Sequence, residues 1–205
     1  MSRAGDVTEN PVTGERAVVR VGTEETRGEL LVIDLFVRPG GAVVGEHLHP
    51  AIEERFTVVS GTVGFSVGGR FEVAEPPRQL VVPPHTPHDW WNAGDETAHV
   101  RVEIRPAARF EEMVTTLFGL ARDGQTDAKG RPHLLQLALF AREFDDVLRL
   151  TRPPRFVQKT LFAVLDPVAR LLGYRGTYPQ YRARPQPGGA LESPTPKDLL
   201  PEKVG

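Results

Sequence analysis

Four side chains in this sequence have the types and the spacing to hold a metal ion: His47, His49, Glu54 and His88. In a β-strand, residues two apart face the same side about 6 to 7 Å from each other, so His47 and His49 can aim both imidazoles into one cavity. Glu54 follows a short corner containing Pro50 and opens the next extended run, where Phe56, Val58 and Ser60 share its face. A carboxylate therefore stands beside the imidazoles in a mostly apolar interior. A later stretch, from Pro83 to Asn92, supplies His88 at the start of a strand with Trp90 and Asn92 on its side. The chain has no cysteine, so thiolate chemistry is excluded and any metal must be held by nitrogen and oxygen. Three nitrogens and one oxygen suit a single divalent transition metal, Fe, Mn, Ni, Cu or Zn, without choosing among them. An open coordination position in an apolar cavity would bind an enol or hydroxy-ketone and lower its pKa, and Glu54 could double as the base.

Neighbouring residues compete for these roles. Glu53 is the rival carboxylate, but it falls one residue out of phase and points to the opposite face. His85 is either a hydrogen-bond partner or base close to the substrate, or a turn residue at the rim. Phe56, Val58 and Trp90 are expected to wall the substrate cavity, with Trp91 facing away. His99 falls on the polar face of its strand and reads as an ordinary structural histidine, as does His133 ahead of a helical run.

These side chains need a scaffold. From about Ala17 to Ala107 the chain is a series of short β-rich runs punctuated by glycine and proline, which predicts an all-β sandwich or barrel over residues 17–107. Between Thr97 and Arg105, Ala98, Val100, Val102 and Ile104 alternate with polar residues, giving one buried and one wet face. Val63, Phe65 and Val67, then Gly68-Gly69, then Phe71 and Val73 read as a hairpin with a two-residue turn. Residues 1–16 read as an N-terminal segment ahead of the barrel. After Arg105 the period becomes helical, and residues 108–173 form a helical extension. Phe110 to Ala121 carry one apolar face with Gly124 as the stop, and Leu134 to Leu150 and Phe156 to Leu172 continue, separated by Pro153-Pro154. Residues 174–205 are rich in proline, glycine and charge and read as a tail.

The apolar face from Phe110 through Leu172 needs a partner. Packing over the outer sheet or the mouth of the barrel is the expectation, with a homodimer interface as the other use. Arg155, Lys159, Arg170 and Arg175 flank the last apolar run, which raises peripheral membrane contact. Asp166 and Pro167 interrupt that run and the chain is not strongly basic, so no membrane partner is expected. A length of 205 residues, a net charge of −2 and 40% hydrophobic residues describe an ordinary globular chain with one main core. No basic field invites nucleic acid. Nothing resembles a secretory signal or a membrane span, so the cytoplasm is the expected location.

The two site segments, taken whole, resemble the paired motifs of the cupin superfamily. Gly41, His47, His49, Glu54 and Gly61 match the first motif at every position, and Pro83, His88 and Asn92 match the second. His85 stands at a position usually held by glycine, and Pro77 where an upstream glycine is common, departures that touch turn geometry rather than a ligand. The resemblance implies an antiparallel β-barrel of jelly-roll form with the metal inside, here followed by the α-helical extension, and Asn92 as a structural residue at the barrel end. It also implies a small-molecule substrate. Quercetinase-like dioxygenases are the most similar activity, followed by non-redox cyclases, isomerases and decarboxylases of the polyketide-cyclase kind. A ligand-binding cupin without turnover is the third.

Overall fold

The computed structural model describes residues 2–42 and 45–181. The strands are β1 (Val7–Asn10), β2 (Glu15–Val21), β3 (Leu31–Val37), β4 (His47–Leu48), β5 (Glu53–Ser60), β6 (Val63–Val67), β7 (Arg70–Ala74), β8 (Arg78–Val82), β9 (His88–Asn92) and β10 (Ala98–Arg105). Helices α1 (Phe110–Arg122) and α2 (Leu134–Glu143), strand β11 (Arg149–Leu150) and helix α3 (Arg155–Leu171) follow. The strands form two antiparallel sheets, one in the order β1-β2-β3-β10-β5-β8 and the other β11-β4-β9-β6-β7. Strand β1 and the start of β2 lie within residues 1–16, so the sheet takes in the segment that reads as preceding the barrel.

Alternation sets the sheets face to face. Ala98, Val100, Val102 and Ile104 of β10 turn inward with Ile33 and Leu35 of β3 and Phe56 and Val58 of β5, building one core between the sheets. Gly68 and Gly69 both adopt positive φ, 56° and 80°, as a two-residue turn between twisted strands requires. Asn92 closes the barrel end. Its amide donates to the carbonyls of Val37 and Glu96 at 2.8 and 2.7 Å and its carbonyl accepts from the Gly94 N–H at 2.9 Å.

The extension departs from the periodicity in two places. The helical run beginning at Leu134 ends at Glu143 rather than at Leu150. Phe144 and Val147 are fully buried in the barrel core, and Arg149 and Leu150 pair with Leu48 and His47. Strand β4 otherwise presents an open backbone edge on that side, and the pairing satisfies it. The second departure is α3, which packs on α2 through the narrow stripe Gln158, Phe162, Asp166 and Ala169 and turns its apolar residues outward. Of the tail, Pro179–Tyr181 forms one 3-10 turn, with Tyr181 packed on Gly119 of α1. Residues 182–205 lie outside the described residues.

Candidate metal centre

Strand register brings three ligand-bearing segments together. His47 pairs directly with His88 across β4 and β9, His49 leaves the end of β4, and Glu54 is the second residue of β5. One donor atom from each of His47, His49, Glu54 and His88 lies within 4.8 Å of the others, and all four side chains are buried. Glu53 is half-buried beside Arg55 instead, at 3.6 Å.

The hydrogen bonds of the rings fix which nitrogens face the centre. Nδ1 of His47 lies 2.8 Å from the Gly45 carbonyl, Nδ1 of His49 2.6 Å from that of Val147, and Nδ1 of His88 3.0 Å from that of Thr86. A carbonyl can only accept, so each Nδ1 carries a proton, and in the neutral ring each Nε2 presents its lone pair inward. Nε2 of His88 and of His49 stand 2.8 and 3.3 Å from the same Glu54 oxygen, Oε2. Yet none of these three buried atoms has a hydrogen bond. Lone pairs facing a carboxylate oxygen in a buried site cost several kcal/mol unless a cation sits among them. The donor set therefore fits one metal ion.

The electrostatics follow from the same crowding. Burial, reinforced by the neighbouring His88 and His49, pushes His47 down to about 3, which keeps it in the neutral form a metal needs. Burial alone would raise the Glu54 carboxyl, but His49 and His88 overcome it and hold Glu54 well below the usual carboxylate range. Glu54 in turn draws His49 upward against its own burial.

A cavity of about 70 Å³ opens on the imidazoles, walled by Phe56 and Trp90 of the barrel and by Phe110, Met113 and Phe118 of α1. Helix α1 covers this mouth, and the Phe110 ring lies 5.6 Å from that of His49. Val58 is buried in the core and does not line the cavity. His85 also lies outside it: the residue is exposed, with φ of 64°, and its backbone N–H donates to the His49 carbonyl at 2.8 Å. The positive φ explains why glycine is the usual occupant there. His99 stacks on Phe36 on the other face of the six-stranded sheet and reaches Asp34 at 3.4 Å.

Residues 35–104 match the cupin domain family. The barrel has the cupin fold. Solved structures similar to it include KdgF from Halomonas sp., 17% identical over 49% of this chain and 86% of that one, with a TM-score of 0.42. An RmlC-like cupin from Shewanella frigidimarina is 18% identical over 50% and 85% of the two chains, with a TM-score of 0.44. The polyketide cyclase RemF from Streptomyces resistomycificus is 18% identical over 52% and 70%, with a TM-score of 0.41. No curated protein matches this chain in sequence.

Two parts of the cupin site escape its motifs. Val147, which fixes the His49 ring, comes from the extension. Glu15 of β2 is a buried acid lining the same cavity; it accepts a hydrogen bond from the Thr13 hydroxyl at 2.6 Å, and burial pushes its carboxyl up to about 7. Parity with the inward-facing Ala17 and Val19 was the available signal, because it places Glu15 on the core face.

Proposed function

We propose that this chain is a metal-dependent cupin enzyme acting on a small aromatic or enolic molecule, and that the reaction is a dioxygenation. The observation that carries the metal is the set of inward lone pairs, from imidazoles whose protons are already committed to backbone carbonyls, around one Glu54 oxygen. His47, His49 and His88 hold the ion through Nε2 and Glu54 through its carboxylate. When bound, the ion supplies Lewis acidity and, if redox-active, an electron couple.

The remaining work belongs to the chain. Backbone bonds at Nδ1 lock the ring planes, so the ligands are arranged before the ion arrives. Phe56, Trp90, Phe110 and Phe118 exclude water and favour a flat apolar substrate. The Glu15 carboxyl, with a pKa near neutrality, donates a hydrogen bond or a proton to a substrate oxygen when neutral and takes a proton when ionised.

That acid favours a second reading, in which the same site performs only proton transfers, as a non-redox cyclase, isomerase or decarboxylase. Elemental analysis of protein purified without chelator, followed by oxygen uptake with a panel of enols and hydroxy-ketones, separates the two. Iron, manganese, copper or nickel near one per chain with oxygen uptake is the expected result. Turnover without oxygen uptake establishes the second reading. Metal-free protein that still binds the panel without turnover makes this a ligand-binding cupin and sinks the proposal.

A further inference from the structure

Helix α3 turns its most apolar side to solvent. Phe156, Val164 and Leu171 are 73%, 65% and 88% exposed, and Val157, Val168 and Leu172 stand beside them. At 100° per residue, the outward arc from Phe156 round to Leu172 spans about 160° and contains no charged residue. A stripe of this kind on an amphipathic helix ordinarily faces a core; here the core-facing stripe is instead Gln158, Phe162, Asp166 and Ala169.

The charges around the arc are of one sign. Lys159 lies along one margin, Arg152 precedes the helix and Arg175 follows it, all exposed, while Arg170 on the same margin is paired with Asp166. The helix's single acid, Asp166, is buried and paired with Arg170 at 2.5 Å and Arg142 at 2.9 Å. Between α2 and β11, Asp145 is held by Arg155 and Arg149. The two interruptions that argue against a lipid surface in the sequence are therefore absent from this face as obstacles: Asp166 points inward and is neutralised, and Pro167 sits within a continuous helix on the outward side.

We propose that α3 docks this protein flat on an anionic lipid surface, with the apolar arc in the interface and the basic margin against the headgroups. Charge complementarity selects this occupant, and so does width. A two-helix seam needs only a narrow stripe, so a second copy would leave Phe156 or Leu172 in water, whereas a bilayer covers the whole arc. No helix among the described residues is long and apolar enough to cross a membrane, and the proposed contact is along the surface. It is independent of the metal site, which lies behind α1.

The test is cosedimentation of the full chain with vesicles of phosphatidylcholine alone or with 30 mol% phosphatidylglycerol added as the anionic probe. Binding to the anionic vesicles, weakened by salt, is expected. Lys159→Glu should reduce it at least fivefold, since about 1 kcal/mol per charge at an anionic surface is a factor of about five. Val164→Asp with Leu171→Asp should abolish it while thermal unfolding and metal content stay unchanged. Absence of binding to both vesicles overturns the proposal. So does a dimer in sedimentation equilibrium that the same double substitution dissolves, which would give the face to a second copy. Binding that appears only after removal of residues 182–205 would give it to that segment.

Discussion

Two of the carboxylates buried in this barrel, Asp34 and Glu54, lie on opposite sides of one sheet, and each has histidine for a neighbour. Asp34, on the face away from the core, receives Arg20 Nε at 2.6 Å and Arg101 Nε at 2.9 Å, with His99 at 3.4 Å. Burial alone would raise its carboxyl, but His99, Arg101 and Arg20 hold it far below the usual range. Glu54, on the core face, has only imidazoles around it, and their donor protons are spent on backbone carbonyls. A buried carboxylate beside histidine becomes a closed ion-pair cluster where Arg20 and Arg101 supply donors and an open coordination site where only imidazoles surround it. What separates them is which neighbours the strand register brings up and where those neighbours' protons point, neither of which composition can report.

Substitution at the core-face site separates the two carboxylates most strongly. His49→Ala and Glu54→Ala should each lower metal affinity by more than about 100-fold, beyond the usual cost of losing a mere supporting partner, with the fold retained by circular dichroism. Full occupancy by elemental analysis in both variants would show that the cluster is not a metal site. On the other face, Asp34→Ala should leave metal content near that of the parent and cost about 3 to 5 kcal/mol of stability, because Arg20 and Arg101 lose a buried counter-charge. A variant that melted normally and lost its metal would reverse the assignment of the two sites.

The sequence displays the core-face site more fully than the outer one. Two residues apart on one strand, with a corner and a carboxylate following, is a local pattern that yields His47, His49 and Glu54, and a second local stretch, Pro83 to Asn92, yields His88 and inward Trp90. Asp34 pairs with residues 14 and 67 positions away, so its partners depend on register between strands that no local pattern specifies. Val147 reaches His49 across 98 residues for the same reason. The limits of the helices were half legible. Periodicity finds α1, but it cannot say that Phe144 and Val147 are drawn into the barrel and end α2, nor that α3 packs by its polar stripe. Val58 faces the core, as its parity with Glu54 and Phe56 predicts, but does not line the cavity.

Glu15 extends the comparison to a third buried carboxyl with the opposite sign. Its pKa rises from 4.5 to about 7, so the folded state retains a proton that the unfolded chain releases between those values. Stability contributed by the neutral acid is fully present below about pH 4.5 and is lost as pH climbs to 7, by on the order of 3 kcal/mol. Asp34 behaves in reverse, since its depressed pKa makes its contribution available above about pH 4 and removes it in stronger acid. Glu15→Gln should therefore abolish most of the decline between pH 5 and pH 8 in urea unfolding, and should flatten the pH dependence of turnover. An unchanged decline would mean that Glu15 is solvated.

His85 provides the finest distinction, between a residue that acts at the site and one that only supports it. Its φ of 64° costs a non-glycine residue about 1 kcal/mol or more, while the only bond it makes toward the ligands is through its backbone, to the His49 carbonyl. Glycine at this position keeps that bond and relieves the conformation, at the expense of some added freedom in the unfolded chain. His85→Gly is accordingly expected to raise stability by up to about 1 kcal/mol, with metal content and turnover unchanged. A tenfold fall in kcat at full metal occupancy would instead make the imidazole part of the chemistry, reached by a movement of the rim, and the boundary between ligands and scaffold would have to be redrawn to include it.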